Sequence, residues 1–440
     1  MSLLWAKRGW LTPGSQTLRT LERFGATDAW DFVDNSYMRA GVVTTNAGLT
    51  VTRASSGYAE TTGGVLVPFA SGELRRTDRG VLVEGARTNL LLRSQEFDDA
   101  AWTKFTNAAT LTTNATTAPD GTLTAEKITA STSSNNQLIR QGPTIVASTV
   151  YQFSVFAKAA EYNRLLLTVW DNVANQFAST LFNLTAGTFV LGISGNGGNQ
   201  GVGNFAATMT PLSNGWYRCA ISFSSTSTTG NVYAGVYNAD TFLNGLPTQY
   251  AGDGTSGIFL WGAQLEAASF ASSYIPTVAS TVTRAADEVL VNPYTFPAPF
   301  SAYAEYVPGG NAASQNTALS FAVATTNEQV HIGKDVGGTN TNEAQLYVQN
   351  AGDQAWIRHA AGTANVGATV RQAVRVGAND FASSVGGSAA LTDTSGTVPT
   401  MDRIRFGTDR GSTAFLFGYL RRAAIFPSAL SDAQLQAITT

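Results

Sequence analysis

Two runs decide the fold class: Val150-Tyr-Gln-Phe-Ser-Val-Phe-Ala-Lys158 and Arg164-Leu-Leu-Leu-Thr-Val-Trp170. Both follow a period of two, the pattern of a strand that presents alternate side chains to opposite faces of a sheet. The same alternation returns at Gly215-Trp-Tyr-Arg-Cys-Ala-Ile-Ser-Phe223, at 230–237 and at 257–266. Turn-forming clusters separate the runs, among them Ser194-Gly-Asn-Gly-Gly-Asn-Gln-Gly-Val-Gly-Asn204. Short strands at this spacing predict an all-β chain of tandem antiparallel sandwiches or jelly rolls, preceded by a mixed N-terminal region. Helical periodicity is confined to the ends, weakly at 16–24 and more clearly at Ser431-Asp-Ala-Gln-Leu-Gln-Ala-Ile438, where Ser431 is the expected N-cap.

Composition supports this reading. Charged residues make up 13% of the 440 positions, about half the usual share, and Thr, Ser, Asn, Gly and Ala fill their place. Aromatics at 10% supply enough bulk to bury that disorder is not expected. The net charge is −3 with no basic stripe, which argues against a nucleic-acid binder. No segment approaches the roughly 20 apolar residues of a membrane-spanning helix. The first ten residues lack the apolar core of a signal peptide, so synthesis without the general secretion route is expected. The single cysteine, Cys219, excludes an intramolecular disulfide and alternates onto one face with Tyr217, Ile221 and Phe223. A small buried hydrophobe competes there with a reactive thiol.

Composition also suggests boundaries. Residues 1–85 hold most of the early arginines between Gly-rich turns, 86–285 form one long strand pattern, and Pro293, Pro297 and Pro299 mark a joint before a second pattern over 290–440. Trp5, Trp10, Leu11 and Trp30 are large apolar groups near a terminus with few local partners, which suggests a docking or oligomerisation surface. The alternative is that they cover the neighbouring sandwich.

The run Arg79-Gly-Val-Leu-Val-Glu-Gly-Ala-Arg-Thr-Asn-Leu-Leu-Leu-Arg-Ser94, with Glu96, Phe97 and Trp102 after it, resembles a segment of phage and prophage structural proteins. The resemblance continues through Asn214-Gly-Trp-Tyr-Arg218, Trp261-Gly-Ala-Gln-Leu-Glu266, Ser273-Tyr-Ile-Pro-Thr277 and Thr283-Arg-Ala-Ala-Asp287. In such proteins this block is similar to jelly-roll carbohydrate-binding modules. Residues 290–440 are similar to a laminin-G-like, concanavalin-A-like sandwich, through Arg371-Gln-Ala-Val-Arg375, Arg405-Phe-Gly407 and Gly418-Tyr-Leu-Arg-Arg422. The resemblance covers roughly 45–440 and implies a tail fibre, receptor-binding protein or head spike. It implies a homo-oligomer, often a trimer, on the virion surface, whose partners are other virion proteins and host polysaccharide. It further implies that the carboxylates of the segment before Trp102 bind a structural calcium, with Asp98, Asp99, Asp120 and Glu266 as candidate ligands. No other cofactor is expected.

Enzymatic candidates are few. His331 and His359 are the only histidines, and HExxH, Gly-Lys-Ser/Thr and Gly-x-Ser-x-Gly patterns are absent. Glycoside hydrolysis needs only two carboxylates, and Glu96, Asp98, Asp99, Asp253 and Glu266 are available. Each has a competing role: calcium for the 96–99 group, a turn for Asp253 between two glycines, an arginine partner for Glu266. No catalytic residue is assigned, and a polysaccharide depolymerase stands as the enzymatic rival. A purely architectural collar or decoration protein is the other.

Sugar recognition needs aromatic faces framed by hydrogen-bonding groups. If Leu165, Leu167 and Val169 point into a core, Trp170 points away; by the same rule Trp216 and Arg218 oppose Cys219, and Tyr233 and Tyr237 oppose Val232 and Val236. Trp170, Trp216, Arg218, Tyr233 and Tyr237 are therefore the candidate glycan-binding residues, expected on one sheet face. Burial of both faces against a neighbour is the alternative.

Overall fold

A computed structural model describes residues 16–105, 108–194, 202–238, 249–310, 315–323, 328–335, 341–411 and 413–440. The architecture is antiparallel β-sandwich throughout, with a helix at Gln16–Arg23 and another at Asp432–Thr439 among the described residues. The expected N-cap is in place: Ser431 Oγ accepts from the Gln434 N–H at 3.3 Å, and Gln434 Oε1 accepts from the Ser431 N–H at 2.9 Å, a capping box that satisfies two otherwise orphaned donors. No described helix is long and apolar enough to cross a membrane.

The chain forms two compact units. The first comprises Gly57–Pro68 and Arg87–Arg284 and is a sandwich of two six-stranded sheets. One sheet runs Thr110–Thr116, Ala125–Thr129, Gly257–Glu266, Val150–Ala159, Trp216–Ser225, Val202–Pro211. The other runs Thr103–Lys104, Leu138–Gln141, Asn231–Val236, Arg164–Asp171, Gln176–Asn183, Thr188–Ser194. The period of two sorts the side chains as the sequence predicts. Tyr151, Phe153, Val155 and Ala157 from one sheet meet Leu165, Leu167, Val169, Val232 and Ala234 from the other in a single core. Cys219 lies in that core with no exposure, and burial raises its thiol pKa, which removes the reactive-thiol alternative.

A bulge interrupts the parity at Gly262, which sits at φ +64° where a Cβ would come within 2.8 Å of the Phe156 ring. Ile258 and Leu260 face the core before it, and Ala263 and Leu265 after it, while Trp261 turns to the outer face.

The second unit comprises the described residues up to Ser56, together with Phe69–Ala86 and Ala285–Thr440. A ten-stranded sheet faces a seven-stranded one across an apolar core, and the two helices cover the ten-stranded sheet's other face through Leu18, Leu21, Leu435 and Ile438.

This overturns the reading of 1–85 as a separate docking region, as far as those residues are described. Asp28–Asp31 pairs along Gly418–Phe426, Gly80–Val83 joins the same strand, and Thr50–Thr52 pairs with Glu288–Val291. Early and late segments thus complete each other's sheets. Trp30 has no exposed surface: its ring meets Phe406 edge-on at 5.0 Å and its Nε1–H donates to the Ala47 carbonyl at 2.8 Å. It is core, not docking surface. Trp5, Trp10 and Leu11 lie outside the described residues.

Candidate functional site

The outer face of the second sheet of the Arg87–Arg284 unit carries a cleft of about 290 Å³. Its position follows from the same alternation that builds the core. With Leu165, Leu167 and Val169 turned inward, Thr168 and Trp170 face outward; Tyr233 stands opposite Thr168, and Phe177 opposite Trp170. Phe105 stacks on Tyr233 with ring centroids 6.2 Å apart and 16° between planes, and Trp170 lies 6.5 Å from Tyr233. Tyr233 thus contacts both rings and lines the cleft. Asn136 and Asn175 add amides to its lining, and no lining residue is charged.

Asp171 fixes the hairpin that presents Trp170 and Phe177. Its fully buried carboxylate accepts from the N–H groups of Val173, Ala174 and Thr226 and from the hydroxyls of Ser225 and Thr226. Burial alone would raise its pKa, but these donors outweigh it and lower the value from 3.8 to about 2. Two buried donors beside the cleft have no partner among the described residues: Trp170 Nε1 and, from the residue directly across the ladder, Asn231 Nδ2. Such groups carry a desolvation cost until an acceptor meets them.

Of the five candidate residues, the structure brings Trp170 and Tyr233 together in the cleft. Tyr237 projects from the same face, but Tyr250 closes over it, edge-on at 5.8 Å and anchored by its hydroxyl to the Val236 carbonyl at 3.0 Å. Trp216 and Arg218 belong to the opposite sheet. Trp216 is 1% exposed and packs with Trp261, Tyr274 and Leu66, its Nε1–H donating to the Thr117 carbonyl at 3.1 Å. The Arg218 guanidinium binds Ser154 Oγ at 3.0 Å and the Ser272 carbonyl, and lies 5.1 Å from the Phe156 ring centre. Both are structural. Alternation states which face a side chain takes, but not which of two packed sheets owns the strand, and the expectation of one shared face fails there. Phe177 was legible: a tight turn over Asp171–Gln176 places it across from Trp170. Phe105, Asn136 and Asn175 come from connections and gave no periodic signal.

The four carboxylates expected to share a calcium are dispersed. Glu96 and Asp99 both pair with Arg93, at 2.6 and 3.4 Å, and Asp99 also accepts from the Ala101 N–H at 2.8 Å. Asp120 closes its own turn on the Thr122 N–H and hydroxyl. Glu266 is buried, accepting from the Ser272 N–H at 2.9 Å, the Ser272 hydroxyl at 2.7 Å and Gln264 at 2.8 Å, with Arg87 3.8 Å away. Asp98 lies beside Glu126. No group of three or more His, Cys, Asp or Glu positioned to hold a metal ion occurs among the described residues. Asp99, Asp120 and Glu266 are each engaged by neighbouring side chains or backbone N–H groups, and no three of the set converge. Asp253 is tied to the N–H groups of Thr255 and Ser256 and to the Ser256 hydroxyl, the turn role expected of it.

No family model matches the chain, and no curated protein matches it in sequence. Among solved structures it is similar to the CBM40 domain of the Ruminococcus gnavus IT-sialidase bound to α2,3-sialyllactose, at 15% identity and a TM-score of 0.29, over 33% of this chain and 84% of that one. It is also similar to domain 4 of AbnA, a GH43 extracellular arabinanase from Geobacillus stearothermophilus in complex with arabinotriose, at 13% identity and a TM-score of 0.28, over 39% and 82% of the two chains. Domains LG4-5 of the mouse laminin α1 chain match at 10% identity and a TM-score of 0.21, over 80% of this chain and 91% of that one. The fold assignment itself rests on the strand order and register described above.

Proposed function

We propose that this chain is a glycan-binding protein and that the cleft of Trp170, Tyr233, Phe105 and Phe177 is its sugar site. The observation that carries the reading is the cleft's make-up: aromatic rings and side-chain amides without a charge. A pyranose ring offers C–H faces that stack on aromatic rings and hydroxyls that both donate to and accept from amides. The N–H groups of Trp170 and Asn231, without a partner among the described residues, call for acceptors of the same kind.

Beyond the cleft, the reading places the protein on the surface of a phage-like particle, attaching it to host polysaccharide as a homo-oligomer. Support for the particle comes from the sequence resemblance over 79–102 and 214–287. Support for self-association comes from the edge strand Thr188–Ser194, where Phe189, Val190 and Leu191 are all exposed; an uncharged apolar edge is normally covered. Several copies of a weak site would then act by avidity.

A glycan array probed with the parent protein and with Trp170→Ala tests the reading. The parent is expected to bind a defined set of glycans and the variant to lose them, with affinity reduced by about tenfold or more, equivalent to ~1.4 kcal/mol. Equal binding by both proteins would remove the cleft from the account.

A further inference from the structure

We propose a second glycan-binding platform, in the other unit, on the outer face of its seven-stranded sheet around Trp356. The strands Gln329–Lys334, Ala344–Gln349 and Asp353–Arg358 lie side by side with Asp353–Arg358 at the sheet edge. Their inward side chains, among them Val330, Ile332, Leu346, Val348 and Ile357, fill the core. Register therefore stacks the outward ones in rows. His331, Tyr347 and Trp356 form the middle row; Gln329, Gln349 and Asp353 flank it on one side, and Gln345 with Arg358 on the other.

The middle row is a continuous aromatic track. His331 meets Tyr347 edge-on at 6.2 Å, and Tyr347 meets Trp356 edge-on at 6.1 Å. Exposure rises along it, from His331 at 5% to Trp356 at 40%, and Trp356 is the one exposed tryptophan among the described residues. Its ring is nevertheless pinned. The indole N–H donates to Gln345 Oε1 at 3.0 Å, and the Arg358 guanidinium carbon sits 5.3 Å from the ring centre. Gln345 is in turn held by Glu343 at 3.0 Å. An exposed tryptophan that three neighbours hold in one orientation has already lost the freedom that binding would otherwise take from it.

The chemistry around the ring selects the occupant. Arg358 is neutralised by Glu343 at 2.8 Å, and Asp353 accepts from the Tyr347 hydroxyl. Amides and rings make up the rest: Gln349 and Gln329 bond to each other at 3.1 Å, while Gln329 Oε1 and the buried His331 Nε2 have no partner among the described residues. An uncharged oligosaccharide lying along the track matches this surface, its ring on Trp356 and its hydroxyls on the amide row. Asp353 keeps an exposed carboxylate bonded only to a neutral hydroxyl, which disfavours a polyanion and can also accept from a sugar hydroxyl.

Hydroxyl-radical footprinting of the full-length chain, read by mass spectrometry, tests the platform separately from the cleft. The probes are neutral cello-, manno- and galacto-oligosaccharides, plus any glycan bound on the array. Protection of Trp356 and Tyr347 is expected, lost in Trp356→Ala and largely kept in Trp356→Phe, with about tenfold weaker binding of that glycan to Trp356→Ala in the Trp170→Ala background. Protection at Trp170 and Tyr233 alone would overturn the second platform and leave the cleft standing. Protection at Trp356 alone would do the reverse. Protection at neither, or protection that persists beside Trp356→Ala, overturns the platform.

Discussion

Glu126 shows how a single carboxyl reports on the sandwich. It is 2% exposed, and burial followed by the neighbouring Asp98 charge raises its pKa from 4.5 to about 8. The folded state therefore holds a proton that the unfolded chain releases near pH 4.5. The stability that Glu126 contributes is fully present below that pH and falls by about 1.4 kcal/mol per pH unit until the folded carboxyl itself ionises near pH 8. Glu126→Gln is expected to flatten this slope and to raise the denaturation midpoint above pH 8, which urea melts at pH 5, 7 and 9 would read; an unchanged slope would contradict the assignment. Individual residues were also where the sequence misled most. Trp30 reads as a loose aromatic near a terminus, and Trp216 as the mate of Trp170, because burial by segments distant in sequence leaves no local mark. Trp170 and Tyr233 were legible because their strands bury the other face so completely.

At the level of elements, the period of two placed the strands of the Arg87–Arg284 unit, and the capping residue placed the last helix. Polar edge strands such as Thr103–Lys104 and Thr110–Thr116 have little periodicity to read, since their side chains are mostly exposed. Thr188–Ser194 carries the opposite signal. Its side chains at 189–191 are apolar and exposed on an edge that no described strand pairs, an arrangement that invites strand addition from another copy. Val190→Lys places a charge on that edge. The proposed oligomer is expected to dissociate by sedimentation velocity while the circular dichroism spectrum stays that of the parent; a parent protein that is already monomeric, or a variant of undiminished mass, would contradict the strand's role.

At the level of the whole molecule, the sequence showed two strand-rich regions but not that the early chain completes the sheets of the late one. The reason is physical: strands of three or four residues are too short to display a period. Joining them is a buried ionic knot within one unit, where Asp287 binds Arg53 at 3.0 Å and Arg75, and Arg75 binds Glu84 at 2.7 Å. Burial opposes the charge on Arg75, yet Asp287 and Glu84 raise its pKa. Asp287→Ala would leave two buried guanidinium groups short of an anion and is expected to cost about 3–5 kcal/mol, measured by chemical denaturation; a loss below 1 kcal/mol would show the knot to be incidental. Recognition by an uncharged surface is put to the test by calorimetric titration of the array-selected glycan into parent and Trp170→Ala, each at low and high salt. Binding by the parent is expected to be nearly indifferent to salt and to be weakened about tenfold in the variant. Binding that vanishes with salt, or that survives intact in Trp170→Ala, would contradict it.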